Sequence, residues 1–241
     1  MSPRRPFQRA LVKLSGEALA GEAGFGLDAG VLKYVAAEVK QLHDLGKEIS
    51  LVVGGGNFIR GEAFSSGGGI DRSVADQMGM LGTIMNALAM QSALERVGVP
   101  TRVQSAIDIS QVAESFIRRR AIRHLEKERV VVFAAGTGNP YFTTDTAAVL
   151  RALEIGAQVL VKATKVDGVY DKDPKKHSDA VKYDTLGYDE AIGKRLEVMD
   201  QTAFTMCREH KLPLIVLDFN KTGALARALS GEEEGTLLGG E

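Results

Sequence analysis

The chain has 241 residues, of which 44% are hydrophobic and 25% charged, a composition typical of globular proteins that excludes gross disorder. Its formal net charge is −1, and there is no long basic run, which argues against a protein that lives on nucleic-acid phosphates. A single cysteine, Cys207, excludes an intrachain disulfide, and no targeting segment or membrane span is visible, so we expect a soluble cytoplasmic protein.

Short β-branched runs alternate with helical patterns along the chain, which is typical of a parallel sheet flanked by helices. The predicted strands are residues 10–14, 49–53, 102–104, 130–134, 159–161 and 214–217. The predicted helices are residues 28–46, 73–97, 112–126, 146–156 and 202–211, with shorter ones near residue 190 and from residue 223. Residues 167–183 are predicted as a loop-rich segment, and acidic residues 232–234 precede a final edge segment.

No internal repeat or long linker divides the chain. The sequence therefore predicts an α/β fold class, a three-layer αβα sandwich with a central, mostly parallel sheet. We expect one domain spanning residues 1–241.

Three loops at the carboxyl ends of predicted strands are richer in glycine or polar residues than packing requires. They are residues 13–16, 54–57 and 136–145. Ligands of open α/β sheets bind at this edge, and glycines let backbone N–H groups approach a phosphate. Two such loops side by side can hold two polyanions in line, as phosphoryl transfer requires. A triple glycine is also a common strand–helix turn, and no P-loop motif is present, so the prediction depends on the loops occurring together.

Lys13 lies inside the first apolar strand, next to Ser15 and Gly16, where a solvated lysine is unexpected. A buried lysine needs a counter-charge, and a bound phosphate would supply it. The alternative is a lysine on an edge strand that faces water. Asp145 is interpreted either as a helix cap or as a carboxylate near the phosphates.

Other titratable or polarisable residues give weaker signals. Further candidate carboxylates are Asp167, Asp171 and Asp173. The four histidines are scattered without cysteine partners, so no zinc site is expected. Cys207 is expected in the core, and the methionines of residues 78–90 in the core or a subunit interface.

Residues 12–17 and 54–57 resemble the amino acid kinase superfamily, whose fold places a mostly parallel sheet between helical layers and lacks a Walker motif. Similarity to the bacterial UMP kinases within that superfamily is carried by residues 71–79, 136–145, 163–170 and 221–225. This resemblance extends from residue 10 to about residue 238. It implies transfer of the γ-phosphoryl group of ATP to UMP in pyrimidine nucleotide biosynthesis, with Mg²⁺ held mainly through the ATP phosphates.

The resemblance also implies a role for individual residues. The implied catalytic residues are Lys13, Arg60 and Asp145, and Asp145 would orient Lys13 rather than act as a strong base. The implied ATP-binding residues are Lys13, Leu14, Ser15, Gly16, Gly56, Arg60, Thr164, Tyr170 and Asp173. The implied UMP-binding residues are Gly55, Asp76, Thr137, Gly138, Asn139, Pro140, Tyr141, Phe142, Thr143 and Thr144. Asp76 would accept hydrogen bonds from ribose hydroxyls.

Regulation and assembly are implied in the same way. The family binds GTP as an activator and UTP as an inhibitor, and it is usually hexameric. The GTP response would involve Gly21, Glu22, Ala23, Gly24, Phe25 and Gly26. Residues 2–8 match no motif, and no role is assigned to them.

Chemically, two anions must be brought together, and Lys13, Arg60 and Mg²⁺ are the expected cations that offset their repulsion.

Three alternatives remain. Another kinase of the superfamily would act on a carboxylate, a carbamate or a small phosphate, but Asp76 and residues 143–145 favour a nucleotide acceptor. A non-catalytic nucleotide sensor is disfavoured by Lys13, Asp145 and the two glycine loops. A nucleic-acid-binding protein is disfavoured by the near-zero net charge.

Overall fold

Strands and helices alternate throughout the computed structural model, which describes residues 4–59, 69–196 and 198–239. The strands are β1 (Arg9–Leu14), β2 (Glu48–Val53), β3 (Thr101–Ser105), β4 (Glu114–Ser115), β5 (Val130–Ala134), β6 (Val159–Thr164), β7 (Val169–Tyr170), β8 (Lys182–Tyr183), β9 (Thr185–Leu186), β10 (Leu214–Asp218) and β11 (Thr236–Leu238). The helices are α1 (Gly16–Leu19), α2 (Ala29–Asp44), α3 (Arg72–Arg96), α4 (Arg118–Leu125), α5 (Thr144–Ile155), α6 (Tyr188–Gly193), α7 (Gln201–Glu209) and α8 (Ala224–Ser230).

Nine of these strands form one sheet in the order β4-β3-β5-β2-β1-β6-β10-β11-β9, with β1 at its centre. Within the described residues, its neighbouring strands are parallel except for the pair β10 and β11. Strands β7 and β8 form a separate antiparallel hairpin. The predicted α/β fold class with a central, mostly parallel sheet is thus confirmed.

The sheet is covered on both faces, which explains why its central strands are continuous apolar runs. Alternate residues of β1 point in opposite directions. Ala10, Val12 and Leu14 pack with α2, α3 and α8, whereas Leu11 packs with α4, α5, α6 and α7. Cys207 belongs to the second core, where burial raises the pKa of its thiol to about 12. The helical layers on the two faces give the predicted three-layer arrangement.

Polar side chains begin three of the helices that shape the site. Asp28 caps α2, as predicted, by accepting a hydrogen bond from the backbone N–H of Val31 at 2.8 Å. The cap of α3 is Asp71, two residues earlier than the predicted Ser73. Thr143 caps α5, so Asp145 lies inside its first turn and its carboxylate is available for other contacts.

Two local predictions were wrong. Only 118–125 of the predicted helix 112–126 is helical, because Glu114 and Ser115 pair with β3 as strand β4 at the sheet edge. Strand β11 is not an edge strand, since β9 lies outside it. In both cases pairing with another strand overrides the local pattern. The loop-rich segment 167–183 contains one short hairpin, β7–β8, which does not contradict its prediction. Among the described residues, no helix is long and apolar enough to cross a membrane.

Candidate active site

Two lysines on adjacent strands meet one buried aspartate near the carboxyl edge of the sheet. Lys13 of β1 and Lys162 of β6 are register partners in a parallel pair, so their side chains project from the same face. Nζ of Lys13 lies 2.5 Å from Oδ1 of Asp145, and Nζ of Lys162 lies 2.7 Å from Oδ2. Lys162 also donates to the carbonyl of Val198 at 2.7 Å. With all three groups charged, this lysine–aspartate trio carries one net positive charge.

The electrostatics of the trio favour the ionised form of its aspartate. Asp145 is only 8% exposed. Burial alone would raise its pKa, but the ammonium groups of Lys13 and Lys162 hold the pKa below its ordinary value. Burial lowers the pKa of Lys162, and the nearby charge of Lys13 lowers it further, while Asp145 opposes both effects. Asp145 is therefore an ionised carboxylate that holds two cations, which suits an orienting role better than that of a general base.

The glycine loops that follow β1 and β2 pack backbone against backbone. A Cβ atom on Gly16 would lie 2.5 Å from the carbonyl oxygen of Gly54 and 2.7 Å from the backbone nitrogen of Gly56. A Cβ on Gly55 would lie 2.4 Å from the carbonyl oxygen of Gly79 on α3. Side chains are excluded at these contacts, so the three elements approach more closely than other residues would allow.

A cavity of about 550 Å³ opens beside the trio on the α7 side of the sheet. Lys162 forms part of its wall, together with Thr164, Tyr170 and Asp173, three of the predicted ATP-binding residues. The hydroxyl of Tyr170 donates to Asp167 at 2.6 Å. The structure therefore brings these three predicted ATP-binding residues together around one space.

A second cavity of about 120 Å³ lies between the glycine loop and the loop after β5. Among its lining residues are the predicted UMP-binding residues Gly55, Asp76, Thr137, Asn139, Phe142, Thr143 and Thr144. Asp76 accepts hydrogen bonds from the backbone N–H of Tyr141 at 2.8 Å and from Nε of Arg72 at 2.9 Å. Gly138 instead packs against Ala106, and the side chains of Pro140 and Tyr141 are exposed or half-exposed outside the lining.

Other predicted ATP-binding residues lie apart from the first cavity. Leu14 is buried in the core on the opposite face, and the hydroxyl of Ser15 caps α1. Both border a separate cavity of about 650 Å³ beside Tyr34 and Phe219. Arg60 lies outside the described residues.

The segment predicted to mediate the GTP response, residues 21–26, contacts the second glycine loop. Gly26 donates its N–H to the carbonyl of Asn57 at 3.0 Å, and the side-chain amide of Asn57 donates to the carbonyl of Gly26 at 2.7 Å. Phe25 is 69% exposed, and its ring lies edge-on to Phe58 with 6.0 Å between centroids. The segment is thus joined to residues next to the site.

Sequence reasoning missed two residues of the site. Lys162 carries the same signal as Lys13, a lysine within an apolar strand. Asp200 caps α7 through the N–H of Ala203 and also accepts hydrogen bonds from the hydroxyls of Thr143 and Thr146. A capping residue before a helix was visible in the sequence, but its second set of partners was not.

Comparisons with known proteins identify relatives of this chain. Residues 8–218 match the model of the amino acid kinase family. A uridylate kinase of Xanthomonas campestris pv. campestris is 57% identical over 234 residues, which are 97% of each chain. The UMP kinase structure from Bacillus anthracis has a TM-score of 0.94 at 40% identity, covering 98% of this chain and 97% of that one. The structure from Ureaplasma parvum has a TM-score of 0.90 at 34% identity, covering 99% and 100%. The chain therefore belongs to the amino acid kinase family, and within that family to the uridylate kinases.

Proposed function

We propose that this chain transfers the γ-phosphoryl group of ATP to UMP, giving UDP and ADP, as a step of pyrimidine nucleotide biosynthesis. The observation that carries the proposal is the position of the lysine–aspartate trio. Lys162 borders the first cavity, and Thr144, the neighbour of Asp145 in sequence, borders the second. A phosphoryl donor in the first cavity and a phosphoryl acceptor in the second would therefore both lie near the same cationic group.

The chemistry follows from the charges. Both substrates are phosphate anions, and the excess positive charge of the trio offsets their repulsion as they approach. Asp145 fixes Lys13 and Lys162 in place before the substrates arrive, so little reorganisation is needed during transfer. Because the acceptor phosphate is already ionised, no strong base is required. The proposed nucleotide contacts are the ATP-binding and UMP-binding sets given above, with Lys162 added to the first.

Mg²⁺ would contribute by neutralising phosphate charge when it is bound with ATP. Within the described ranges, no group of three or more His, Cys, Asp or Glu side chains is arranged to hold a metal ion. Both oxygens of Asp145 already face lysine ammonium groups. This arrangement of Asp145 suits an ion that is held mainly by the phosphates of ATP, as Mg²⁺ commonly is in kinases.

Regulation and assembly belong to the proposal as well. GTP acts as an activator through residues 21–26, and their contacts with Asn57 support a connection to the site. UTP acts as an inhibitor, and the protein is a cytoplasmic homohexamer. The exposed apolar side chains Val74, Leu81 and Met85 recur at helical spacing on the outer face of α3, and they support burial against another copy.

The experiment that tests the reaction is a coupled ADP-release assay with ATP and Mg²⁺ in which the acceptor is varied. UMP, CMP, dUMP, aspartate and carbamate distinguish a nucleotide kinase from other kinases of the superfamily. Turnover with UMP well above the others supports the proposal. Turnover only with a carboxylate or carbamate would replace the acceptor assignment, and ATP binding without any turnover would indicate a nucleotide sensor.

A further inference from the structure

We infer that two buried asparagines, Asn57 and Asn86, form a positioning pair that holds the glycine loop of the site in place, an inference that rests on the function proposed above. Asn57 ends the glycine loop after β2, and Asn86 lies in the middle of α3. Their exposed fractions are 1% and 0%. Neither residue lines either of the two cavities beside the trio, so any effect on the reaction acts through other groups.

The two side chains form a closed set of hydrogen bonds. Nδ2 of Asn57 donates to Oδ1 of Asn86 at 2.9 Å, and Nδ2 of Asn86 donates to Oδ1 of Asn57 at 2.7 Å. The second hydrogens of the two amides are donated to the carbonyls of Gly26 and Gly54, at 2.7 and 2.6 Å. Both outer partners are carbonyls, which can only accept, so the orientation of both amides is fixed. All four N–H donors of the pair are satisfied.

This choice of residues is informative because an apolar pair would also fill the space. Buried polar groups are tolerated only when they are fully paired, and two leucines would avoid that requirement. Leucines would, however, leave the inward-facing carbonyls of Gly26 and Gly54 without donors. The asparagine pair therefore suits one specific task, which is to bind the backbone carbonyls of two loops, at Gly26 and at Gly54, that lie outside the regular strands and helices.

The pair lies directly behind the proposed phosphate-binding backbone. A Cβ atom on Gly16 would lie 2.6 Å from Oδ1 of Asn57. The Asn57 side chain therefore lies against the start of α1 and holds Gly26 of the 21–26 segment, while the Asn86 amide holds the loop at Gly54. Through Asn86 these three segments are attached to α3, which also carries the exposed residues Leu81 and Met85. Displacement of the pair would move loops that contact both substrates, whereas an ordinary core defect would lower stability alone.

The test compares Asn86→Ala, Asn57→Ala, the double variant and Met90→Ala with the wild type. Met90 lies one turn further along α3 and is completely buried in the core, so its truncation is a matched structural control. Each protein is characterised by its melting temperature, by kcat and by KM for ATP and for UMP. Amide hydrogen exchange of peptides covering residues 15–28 and 54–59 is measured by mass spectrometry.

We expect Asn86→Ala to lower kcat/KM for both substrates about 10- to 100-fold, the scale of a small displacement of reacting groups. Exchange in both peptides should become faster. Because the pair acts as a unit, the double variant should lose little more activity than either single variant. Met90→Ala should lower the melting temperature but keep kcat/KM within about threefold of the wild type.

The inference is overturned if a folded Asn86→Ala variant behaves like Met90→Ala in kinetics and exchange, or if the losses of the single variants multiply. If Asn86→Ala does not fold, Asn57→Ala removes the same reciprocal bonds from the loop side and decides the question. Hydrogen exchange requires no turnover. A wild type that is inactive on UMP but whose loops loosen in the variants would refute the proposed reaction and leave the positioning pair intact.

Discussion

Replacing Lys162 by methionine tests the role of the trio most directly. Methionine has a similar length, so the change removes the charge while much of the packing volume remains. With Lys162 gone, Asp145 neutralises Lys13 at 2.5 Å, and the net charge of the trio falls from one to zero. We therefore expect a loss of transition-state stabilisation even though Lys13 itself remains in place.

The size of the loss follows from Coulomb's law. A unit charge about 5 Å from a phosphate, at an effective dielectric constant of about 20, contributes about 3 kcal/mol. This corresponds to a decrease in kcat/KM of about 10²-fold, a scale similar to that of one lost preorganised donor. The assay is steady-state ADP release with ATP and UMP varied in turn, on protein whose folding is checked by circular dichroism.

Two variants serve as controls. Lys162→Arg retains the charge and should keep more activity than Lys162→Met. Lys40→Met makes the same chemical change in an exposed pair with Asp44, where ion pairs contribute little, and should leave kcat/KM unchanged. A folded Lys162→Met enzyme within about threefold of wild-type kcat/KM would refute the reasoning about the net charge of the trio.

Three further predictions concern the surroundings of the trio. Asp200→Ala should lower stability by about 1 kcal/mol as a lost helix cap, measured by urea unfolding, and should also raise KM for UMP because Thr143 loses its partner. Asp28→Ala removes the cap of α2, which does not border the second cavity, and should lower stability without raising KM for UMP. The pKa of Lys162 is lowered, so its ammonium group loses its proton at a pH below the ordinary lysine value of about 10.4. We therefore expect kcat/KM to decrease as the pH rises toward that value. Lys162→Arg, which stays charged, should remove this decrease from the pH–rate profile. Asp76→Asn should raise KM for UMP far more than KM for ATP; equal changes would contradict its assignment to the acceptor.

The trio shows how far sequence reasoning reaches. Lys13 could be found because a charged residue interrupts an apolar strand and a glycine turn follows. Lys162 carries the same signal, but the predicted strand ended at Val161, and nothing in the local pattern says that β1 lies beside β6. The register that pairs Lys13 with Lys162 is a property of the assembled sheet.

The same limit explains the other omissions. The cap signal of Asp200 is local, whereas its bonds to Thr143 and Thr146 join residues more than fifty positions apart. Asn86 looks like an ordinary polar residue in a helix until Asn57 is brought beside it. Alternation and glycine turns were sufficient for the fold class, because both act over short distances. Pairings between distant segments depend on topology, and local sequence patterns do not reveal them.

The placement of the charges on regular elements has a mechanical consequence. In a P-loop, the backbone that wraps the phosphate and the lysine belong to one loop–helix unit. Here the two lysines project from the central strands, and Asp145 comes from the first turn of α5. Such elements are held by ladders and core packing on both faces, so the cations keep their spacing while the loops around them adapt to the substrates. The glycine loops lie outside these strands and helices, and the Asn57–Asn86 pair attaches them to α3.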